Sequence, residues 1–192
     1  MTLPDPPTLE TSRLRLRAYR LDDFEAYAPM WAEPQVVRFI GGKPMPREAA
    51  WIRFLRHVGL WRYLGFGFFA LEERASGAFV GEAGFHDLRR TIVPSNEGTM
   101  EAGWALVPAM QGRGFAEEAM RAAIAWADRV HPDPRMTCII QVGHAASLRV
   151  AAKLGFAPYA ETTYHGDAVT MLERPRSAPR QPSPNPSTSA IE

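Results

Sequence analysis

The residues of this chain with the clearest chemical potential are QGRGFA, at positions 111–116, between an apolar strand-like run and a helical pattern. A strand that turns directly into a helix leaves the first helical N–H groups without partners, and the helix dipole makes that point positive. Gly112 and Gly114 let a ligand approach the backbone closely, while Gln111 and Arg113 add side-chain donors. These features predict a phosphate or pyrophosphate site. A tight turn that only starts a helix would need the same residues, and that alternative stays open.

Two common phosphate-binding motifs do not fit this segment. A Walker loop needs GxxxxGK[ST], and the required lysine and hydroxyl are missing. A dinucleotide fingerprint needs a third glycine where Glu117 stands, and it should follow the strand that opens a domain. The motif alone therefore predicts an anion site without naming the ligand.

Composition and charge narrow the function classes. The chain has 192 residues, which suits one domain with a real core, and its net charge of +1 gives no sign of a nucleic-acid partner. Cys138 is the single cysteine, which excludes an intrachain disulfide, and its apolar context MTCIIQV predicts a buried position. We expect His57 on a helix face and His86 beside a turn. No histidine pair has metal-ligand spacing with a carboxylate, so we predict no metal.

The N-terminal sequence MTLPDPPTLE lacks the basic and apolar parts of a secretory signal. No apolar run approaches the roughly 20 residues that a membrane-spanning helix needs. We therefore expect a cytoplasmic protein with no membrane partner.

Sequence periodicity predicts the elements of the first part of the chain. Segment 9–19, LETSRLRLRAY, alternates apolar and charged residues and is predicted as one strand. DDFEAYAPMWA follows as a helix that we expect Pro29 to break or kink. In the next helix, EAAWIRFLRHVGLW, helical spacing predicts a buried face formed by Ile52, Leu55 and Val58.

Three strands are predicted next. Two of them span residues 65–88 and join at a turn with Gly77, and the third spans 99–107. Alternation in the third strand places Glu101 and Gly103 on the same face.

The remaining segments complete a domain that we place at 9–174. They are a helix from Gly114, the strand MTCIIQV, the short helix HAASLRVAAKLGF and a hairpin around HGD. HPDP at 131–134 is expected to end the longer helix, and the Pro- and Ser-rich segment 175–192 is predicted to be a disordered tail. This order predicts an α+β fold with a mixed, mostly antiparallel sheet flanked by helices.

Four segments in this order resemble the GNAT N-acetyltransferase superfamily, and within it the Rim-type subgroup that acetylates ribosomal-protein N-termini. They are LETSRLRLR, FVGEAGF, MEAGWALVPAMQGRGFAEEA and HAASLRVAAKLGF. The third contains the family's Gln-x-x-Gly-x-Ala loop as Gln111, Gly114 and Ala116. The resemblance implies a GNAT-like acyl-CoA N-acyltransferase fold with acetyl-CoA as co-substrate and an amine acceptor. A homodimer is common in the subgroup.

In the family, two central strands splay apart, and the pantetheine arm of the coenzyme pairs with the exposed edge. The resemblance implies that edge amides polarise the thioester in the manner of an oxyanion hole. The coenzyme contacts that it implies in this chain are Trp104, Ala105, Leu106, Val107, Gln111, Gly112, Arg113, Gly114, Phe115, Ala116, His144 and Ser147.

Transfer to an amine needs a base for the incoming ammonium and a proton for the departing thiolate. Glu101 is the predicted base, and Glu82 on the neighbouring strand is the competing candidate. Ser147 is predicted to protonate the thiolate, since Ala151 stands where many superfamily members have a tyrosine. A salt-bridged strand glutamate and a helix-start serine would explain the same residues.

Two aspects of the site remain open. His144 replaces the usual asparagine, and its imidazole can bind the coenzyme, cap the helix or face solvent. The acceptor is a protein N-terminus or a small-molecule amine. The predicted acceptor-pocket residues are Met30, Trp31, Phe39 and Tyr164. The leading interpretation is an acetyl-CoA-dependent N-acetyltransferase. The alternatives are a non-catalytic acyl-CoA-binding or regulatory module and, more distantly, another nucleotide-binding enzyme.

Overall fold

The structure is a computed structural model that describes residues 6–131 and 135–175. The predicted tail at 175–192 and the HPDP stop at 131–134 lie almost entirely outside the described residues. The strands in the described ranges are β1 (Leu9–Glu10), β2 (Leu14–Arg17), β3 (Phe68–Glu73), β4 (Phe79–His86), β5 (Met100–Leu106), β6 (Met136–Gln141), β7 (Ala157–Tyr164) and β8 (Asp167–Arg174). The α-helices are α1 (Phe24–Ala32), α2 (Pro34–Val37), α3 (Arg47–Leu64), α4 (Phe115–Val130) and α5 (Ala145–Lys153).

All of these strands belong to one sheet, in the order β1-β2-β3-β4-β5-β6-β8-β7. β5 and β6 are parallel, and every other neighbouring pair is antiparallel. The predicted fold class, a mixed and mostly antiparallel sheet flanked by helices, is therefore confirmed. None of the helices in the described ranges combines the length and the apolar character that crossing a membrane requires.

Side chains of the sheet alternate between two cores. On one face Phe69 and Phe85 are fully buried and pack in the same cluster as Met120 of α4. On the other face α1 and α3 contribute a cluster that includes Trp31 and Phe54. Burying a side chain of this size stabilises the fold by about 1.5–3 kcal/mol. The two cores fix the helices on opposite sides of β4 and β5.

The buried face of α3 is not the one that we predicted. Ile52, Leu55 and Val58 are 65%, 48% and 68% exposed. The helix packs instead through a neighbouring face that carries Ala50, Phe54, His57, Leu60 and Trp61. Both faces carry apolar side chains, so spacing alone does not select between them. The aromatic face buries more surface against the sheet, and it is the one that packs.

Two predictions were wrong in local detail. α1 continues through Pro29, because the packing of neighbours such as Tyr27 offsets the roughly 3 kcal/mol cost of an interior proline. Segment 9–19 forms two strands and not one. Thr11 Oγ1 accepts a hydrogen bond from the Leu14 amide at 2.9 Å, and this contact turns the chain between β1 and β2.

Candidate active site

A cavity of about 400 Å³ opens where β5 and β6 part. These strands pair only at Met100 with Met136 and at Glu101 with Thr137, and beyond that point they diverge. The walls of the cavity also include β4, α3, the segment after α2 and the β7–β8 hairpin. The divergence leaves part of the β5 backbone without a strand partner on the cavity side.

The free edge of β5 presents alternate peptide groups to this gap. The Met100 N–H donates to the Arg135 carbonyl at 2.9 Å. The peptide N–H and C=O groups of the even-numbered residues of β5 therefore point towards β6. Trp104 and Leu106 therefore direct their peptide groups into the gap. The Leu106 carbonyl already accepts a hydrogen bond from Gln111 Nε2 at 3.0 Å. The N–H groups of Trp104 and Leu106 are the ones available to a ligand.

The other two residues of the predicted edge, Ala105 and Val107, turn their amides away. Ala105 pairs with Glu82 of β4, and the Val107 N–H donates to the Val80 carbonyl at 3.0 Å. The peptide group of a strand residue serves one neighbouring strand at a time. The amide edge that faces the gap is therefore narrower than predicted.

The QGRGFA loop ends where α4 begins. Gly112 and Gly114 have φ values of 72° and 81°, in the left-handed region where a Cβ costs roughly 1–2 kcal/mol. No side chain caps α4, and none of the described residues accepts a hydrogen bond from the amides of 112–116. The side chains of Phe115 and Ala116 are buried, so these residues offer only their amides. Together with the helix dipole, this row of amides is suited to an anion.

The side chains of Gln111 and Arg113, predicted as donors to the ligand, bind protein groups instead. Gln111 accepts a hydrogen bond from Gln35 Nε2 at 3.0 Å, in addition to its contact with Leu106. Arg113 Nη2 donates to Glu73 at 3.0 Å. These bonds hold the loop in place and leave recognition of a ligand to the backbone.

Glu101, the predicted base, is 4% exposed and lies in a hydrogen-bonded cluster. One oxygen accepts from His86 Nε2 and Arg90 Nη2, and the other accepts from Arg90 Nε and Asn96 Nδ2, all at 2.8 Å. Burial raises the pKa of this carboxyl, but the bonds and charges of His86 and Arg90 outweigh it and lower the pKa to about 2. Glu101 is ionised at neutral pH and is a weak base by itself.

His86, which we expected beside a turn, ends β4 and lies opposite Glu101 on the same face of the sheet. The contact with Glu101 indicates that the ring proton is on Nε2 and the lone pair on Nδ1. Nδ1 is buried and has no hydrogen-bond partner among the described residues. Burial lowers the pKa of His86 and outweighs the opposing effect of Glu101, so the imidazole is neutral at pH 7. A neutral imidazole with a free Nδ1 lone pair can accept a proton, and the carboxylate at Nε2 can stabilise the imidazolium that forms.

Glu82, the competing base, is also ion-paired and is only 1% exposed. It accepts hydrogen bonds from Tyr19 at 2.8 Å and from Arg53 at 3.2 Å, and His57 Nε2 lies 3.1 Å away. Burial raises the pKa of Glu82, but the charge of Arg53 and the hydrogen bonds from His57 and Tyr19 lower it overall. These contacts tie β4 to α3 and give Glu82 a clear structural role.

Ser147 and His144 form a pair on the cavity wall. Ser147 Oγ lies 3.0 Å from His144 Nε2, and the imidazole stacks on Phe39 with 4.4 Å between ring centroids. Burial lowers the pKa of His144, so the ring is neutral at pH 7. His144 occupies the N-cap position of α5, but its side chain makes no capping bond. Ala151 is fully buried. The side chain at 144 therefore positions Ser147, a role that we did not foresee.

Three of the four predicted acceptor residues, Trp31, Phe39 and Tyr164, line the cavity. Met30 does not, because it is 2% exposed and packs in the α1 core. Successive helix residues point about 100° apart, so Trp31 and Met30 cannot share one orientation.

Six charged or histidine residues of the cavity were missing from our predicted site: Arg53, Arg56, His86, Arg90, His165 and Asp167. The two α3 arginines had a usable signal, since each directly precedes one of the buried residues Phe54 and His57. Correct assignment of the α3 face would have placed them at its edge. No spacing rule connects His86 and Arg90 with Glu101, because the strand register brings them together.

Cys138 also lines the cavity, and its predicted burial is confirmed at 1% exposure. Burial raises the pKa of its thiol, so Cys138 does not supply a thiolate nucleophile at neutral pH. Within the described ranges, no three His, Cys, Asp or Glu side chains group together as metal ligands would.

Comparison with known proteins gives consistent matches. A family model described as Acetyltransferase (GNAT) domain matches residues 13–157. The structure of a GnaT-family acetyltransferase from Bordetella pertussis is similar with a TM-score of 0.79 at 34% identity, over 88% of this chain and 100% of that chain. The uncharacterised protein YkkB of Bacillus subtilis strain 168 is 28% identical over 152 residues, which cover 77% of this chain and 83% of that protein.

A RimL ribosomal L7/L12 α-N-protein acetyltransferase, solved in complex with coenzyme A, has a TM-score of 0.70 at 16% identity. The similarity covers 88% of this chain and 97% of that chain. At this identity the likeness shows a shared fold alone.

Proposed function

The chain belongs to the GNAT acetyltransferase family, and from that membership we propose that it transfers the acetyl group of acetyl-CoA to a primary amine. GNAT acetyltransferases use acetyl-CoA as the donor, and the RimL structure contains coenzyme A. The main support in this chain is the cavity at the β5–β6 gap. One space brings together a free amide edge, the Glu101–His86 pair and the Ser147–His144 pair.

The donor would lie with its pantetheine arm in the gap and its pyrophosphate on the amides of 112–116. The amides of Trp104 and Leu106 are the groups that can pair with the pantetheine and polarise the thioester carbonyl. Amide donors that already point at a developing oxyanion stabilise the transition state without reorganisation. The negative charge of Glu118 in the first turn of α4 is offset by Arg13, whose Nη2 lies 2.6 Å from it.

The acceptor arrives as an ammonium at neutral pH and must lose a proton before its nitrogen can attack. We assign that proton to the Glu101–His86 pair, in which Glu101 stabilises the imidazolium that forms. The neutral nitrogen then forms a bond to the thioester carbonyl carbon, the carbon–sulfur bond breaks, and the electron pair leaves on sulfur. The nitrogen, cationic after the attack, loses its remaining surplus proton to water. Glu82 remains the alternative base.

The departing thiolate needs a proton, and Ser147 is the proposed donor. Its hydroxyl lies on the cavity wall and is held by His144. A serine hydroxyl is a weak acid, so we propose that it relays a proton to the sulfur from water, while His144 holds the hydroxyl in place.

Two classes of acceptor amine are compatible with the proposed transfer. The Rim-type resemblance implies a protein N-terminus, while the partly enclosed cavity also suits a small-molecule amine. Both acceptor classes can be tested in one panel, with peptides that have free N-termini and with low-molecular-weight amines.

One observation favours a second candidate function, that of a non-catalytic acyl-CoA-binding module. Both candidate bases, Glu82 and Glu101, are held in ion pairs, and a carboxylate in that state is a poor base. Such a module would bind acetyl-CoA and leave the acetyl group in place.

The test combines two measurements on the full chain. Calorimetry gives the affinity for acetyl-CoA, and thiol detection with mass spectrometry follows acetyl transfer to a panel of amines and peptides. Equimolar thiol and N-acetylated product from at least one amine supports the proposed transfer. Acetyl-CoA binding without product from any amine supports the module, and absence of binding contradicts both.

A further inference from the structure

The α3 side of the cavity contains more hydrogen-bond donors than the protein uses. The buried donors are Trp31 Nε1, Arg53 Nε, and Nε and Nη2 of Arg56. None of the described residues accepts a hydrogen bond from these atoms. All three residues line the cavity, and Trp31 is only 1% exposed. Neither indole nor guanidinium nitrogen can act as an acceptor here, so the site offers donors only.

The charges of the cavity show the same imbalance. Arg53 is paired with Glu82, and Arg90 is paired with Glu101. Arg56 makes no ion pair within the described part of the chain. Burial is the main reason that the pKa of Arg56 is lowered, and the nearby charge of Arg53 contributes. Both effects indicate that the protein does not supply a sufficient counter-charge.

One further carboxylate, Asp167, lines the cavity from the β7–β8 hairpin. It lies at the start of β8 and forms no ion pair with Arg56. Asp167 therefore does not neutralise Arg56. A buried guanidinium without a partner is costly, and an anion bound there would offset much of that cost.

Resting on the proposed acetyl transfer, we infer that the acceptor amine also carries an anionic group, a carboxylate or a phosphate, which binds to Arg56 and Trp31. Arginine suits both groups, since its planar guanidinium donates two parallel hydrogen bonds to their oxygens. The indole N–H of Trp31 adds a third donor. The acceptor is thus a small amino acid or an amino phosphate, and its amine reaches the β5–β6 gap while its anion stays against α3.

Matched pairs of amines test this inference. Glycine, β-alanine and γ-aminobutyrate are each compared with their primary amides, and phosphoethanolamine is compared with ethanolamine. Values of kcat/KM are measured for wild type, Arg56→Gln, Arg56→Lys and Arg62→Gln. The basicity of the amine differs within a pair. We therefore divide kcat/KM for the anionic amine by kcat/KM for its neutral partner, and we compare this ratio in each variant with the ratio in wild type.

Arg56→Gln should lower this ratio at least tenfold for the preferred pair, which corresponds to about 1.4 kcal/mol. Arg56→Lys should recover part of it, because the charge returns without the planar fork. Arg62 is exposed on the same helix and does not line the cavity, so Arg62→Gln should leave the ratio unchanged. The amino-acid and phosphoethanolamine pairs identify which anion is bound.

Three results would overturn the inference. The first is an equal loss with anionic and neutral amines in Arg56→Gln, which would mean that Arg56 stabilises the reaction itself or the fold. The second is a wild-type protein that acetylates neutral amines and no anionic ones. The third is transfer to peptide N-termini alone.

Failure of the proposed transfer would give a different pattern, with no thiol released by wild type in the presence of any amine. Calorimetry with β-alanine and with phosphoethanolamine then tests the anion site alone. Binding that weakens at least tenfold in Arg56→Gln would support the site without catalysis. Undetectable binding of both compounds to wild type would contradict it.

Discussion

The carboxylates of Glu82 and Glu101 are embedded in hydrogen bonds, and this determines how Glu101 can act. Its pKa of about 2 makes it a poor acceptor for an ammonium proton. Glu101 contacts His86 at 2.8 Å. In the proposed mechanism the imidazole of His86 takes the proton, and the carboxylate of Glu101 stabilises the resulting charge. The His86–Glu101 pair thus combines two residues of which the sequence motif indicated only one.

Glu101→Gln should lower turnover about a hundredfold or more, with the affinity for acetyl-CoA nearly unchanged. The loss should become smaller at high pH, where the amine is already neutral. His86→Gln should show the same pH profile, because one variant removes the proton acceptor and the other removes the carboxylate that stabilises the imidazolium. Steady-state rates between pH 6 and 10 provide the measurement. If Glu82→Gln shows this profile and Glu101→Gln does not, the base is Glu82.

Ser147→Ala should lower turnover tenfold or more, a loss of about 1.4 kcal/mol in transition-state stabilisation. His144→Ala should give a comparable loss, since the imidazole holds the Ser147 hydroxyl at 3.0 Å. Coenzyme affinity should fall less than turnover in both variants, because most of the proposed contacts with the coenzyme are made by the loop before α4. Turnover in Ser147→Ala equal to that of wild type would leave Ser147 as a helix residue only.

Sequence motifs located some of these residues and could not locate others. Glu82, Glu101 and Ser147 were found because each lies inside a motif with a fixed position in the fold. Arg53, Arg56 and Arg90 lie outside those motifs. The partners of Arg53 and Arg90 are Glu82 and Glu101, 29 and 11 residues further along the chain, and they become neighbours only through the strand register and the packing of α3. The same packing brings Arg56 to the cavity.

Among the elements, the turn into α4 is the one on which the proposed binding of the coenzyme would depend most. The left-handed φ of 81° at Gly114 lets the backbone turn directly into the helix and leaves its amides uncovered. A Cβ at this position would lie 3.5 Å from Arg13 Nη2, close to the face where the pyrophosphate is proposed to bind.

Gly114→Val should therefore weaken acetyl-CoA binding at least tenfold, as measured by calorimetry. Gly77 is a matched control, because its φ of 73° is similar and a Cβ there would meet nothing within 4 Å. Both valines should destabilise the fold by roughly 1–2 kcal/mol through backbone strain, but only the first should reduce affinity. Unchanged affinity in a folded Gly114→Val protein would exclude this loop from the coenzyme site. An equal loss of affinity in Gly77→Val would attribute the effect to stability.

Helix α3 shows where periodicity stops being informative. Its existence and approximate extent were predicted, but its buried face was not, because apolar residues occur on both sides. The correct face is the one that places Arg53 and Arg56 on the cavity. An error in the buried face of one helix therefore concealed the charged part of the site.

For the molecule as a whole, the buried ion pairs connect stability to pH. The folded-state pKa of Glu101, about 2, lies below the value of about 4.3 for an unfolded glutamate. The stabilisation is therefore complete above about pH 4.3 and is lost as the pH falls towards 2. Its full size is on the order of 3 kcal/mol.

Glu101→Gln should be markedly less stable than wild type at pH 7, and the difference should shrink as the pH falls towards 2–3. Urea unfolding at several pH values measures it. Glu25→Gln is the control, since its pair with Arg47 is on the surface and contributes roughly 0–1 kcal/mol. A constant difference between Glu101→Gln and wild type over this range would contradict the buried ion pair.

The architecture of the whole chain was more predictable than its site. Alternation, helical spacing and the order of four motifs were enough for the fold class and the sequence of major elements. The cavity depends on a parallel pairing that ends after two residues, at Glu101 and Thr137. Only the three-dimensional packing of β5 and β6 determines where that pairing stops.

The central claim is that acetyl-CoA lies in the β5–β6 gap with its pyrophosphate on the first turn of α4. Hydrogen–deuterium exchange of the full chain, with and without saturating acetyl-CoA, tests it most directly. Exchange should slow at the amides of Trp104 and Leu106 and across 112–116, while β3, at Phe68–Glu73, should be unchanged. Unaltered exchange at these amides under saturating acetyl-CoA, or protection confined to another part of the chain, would contradict it.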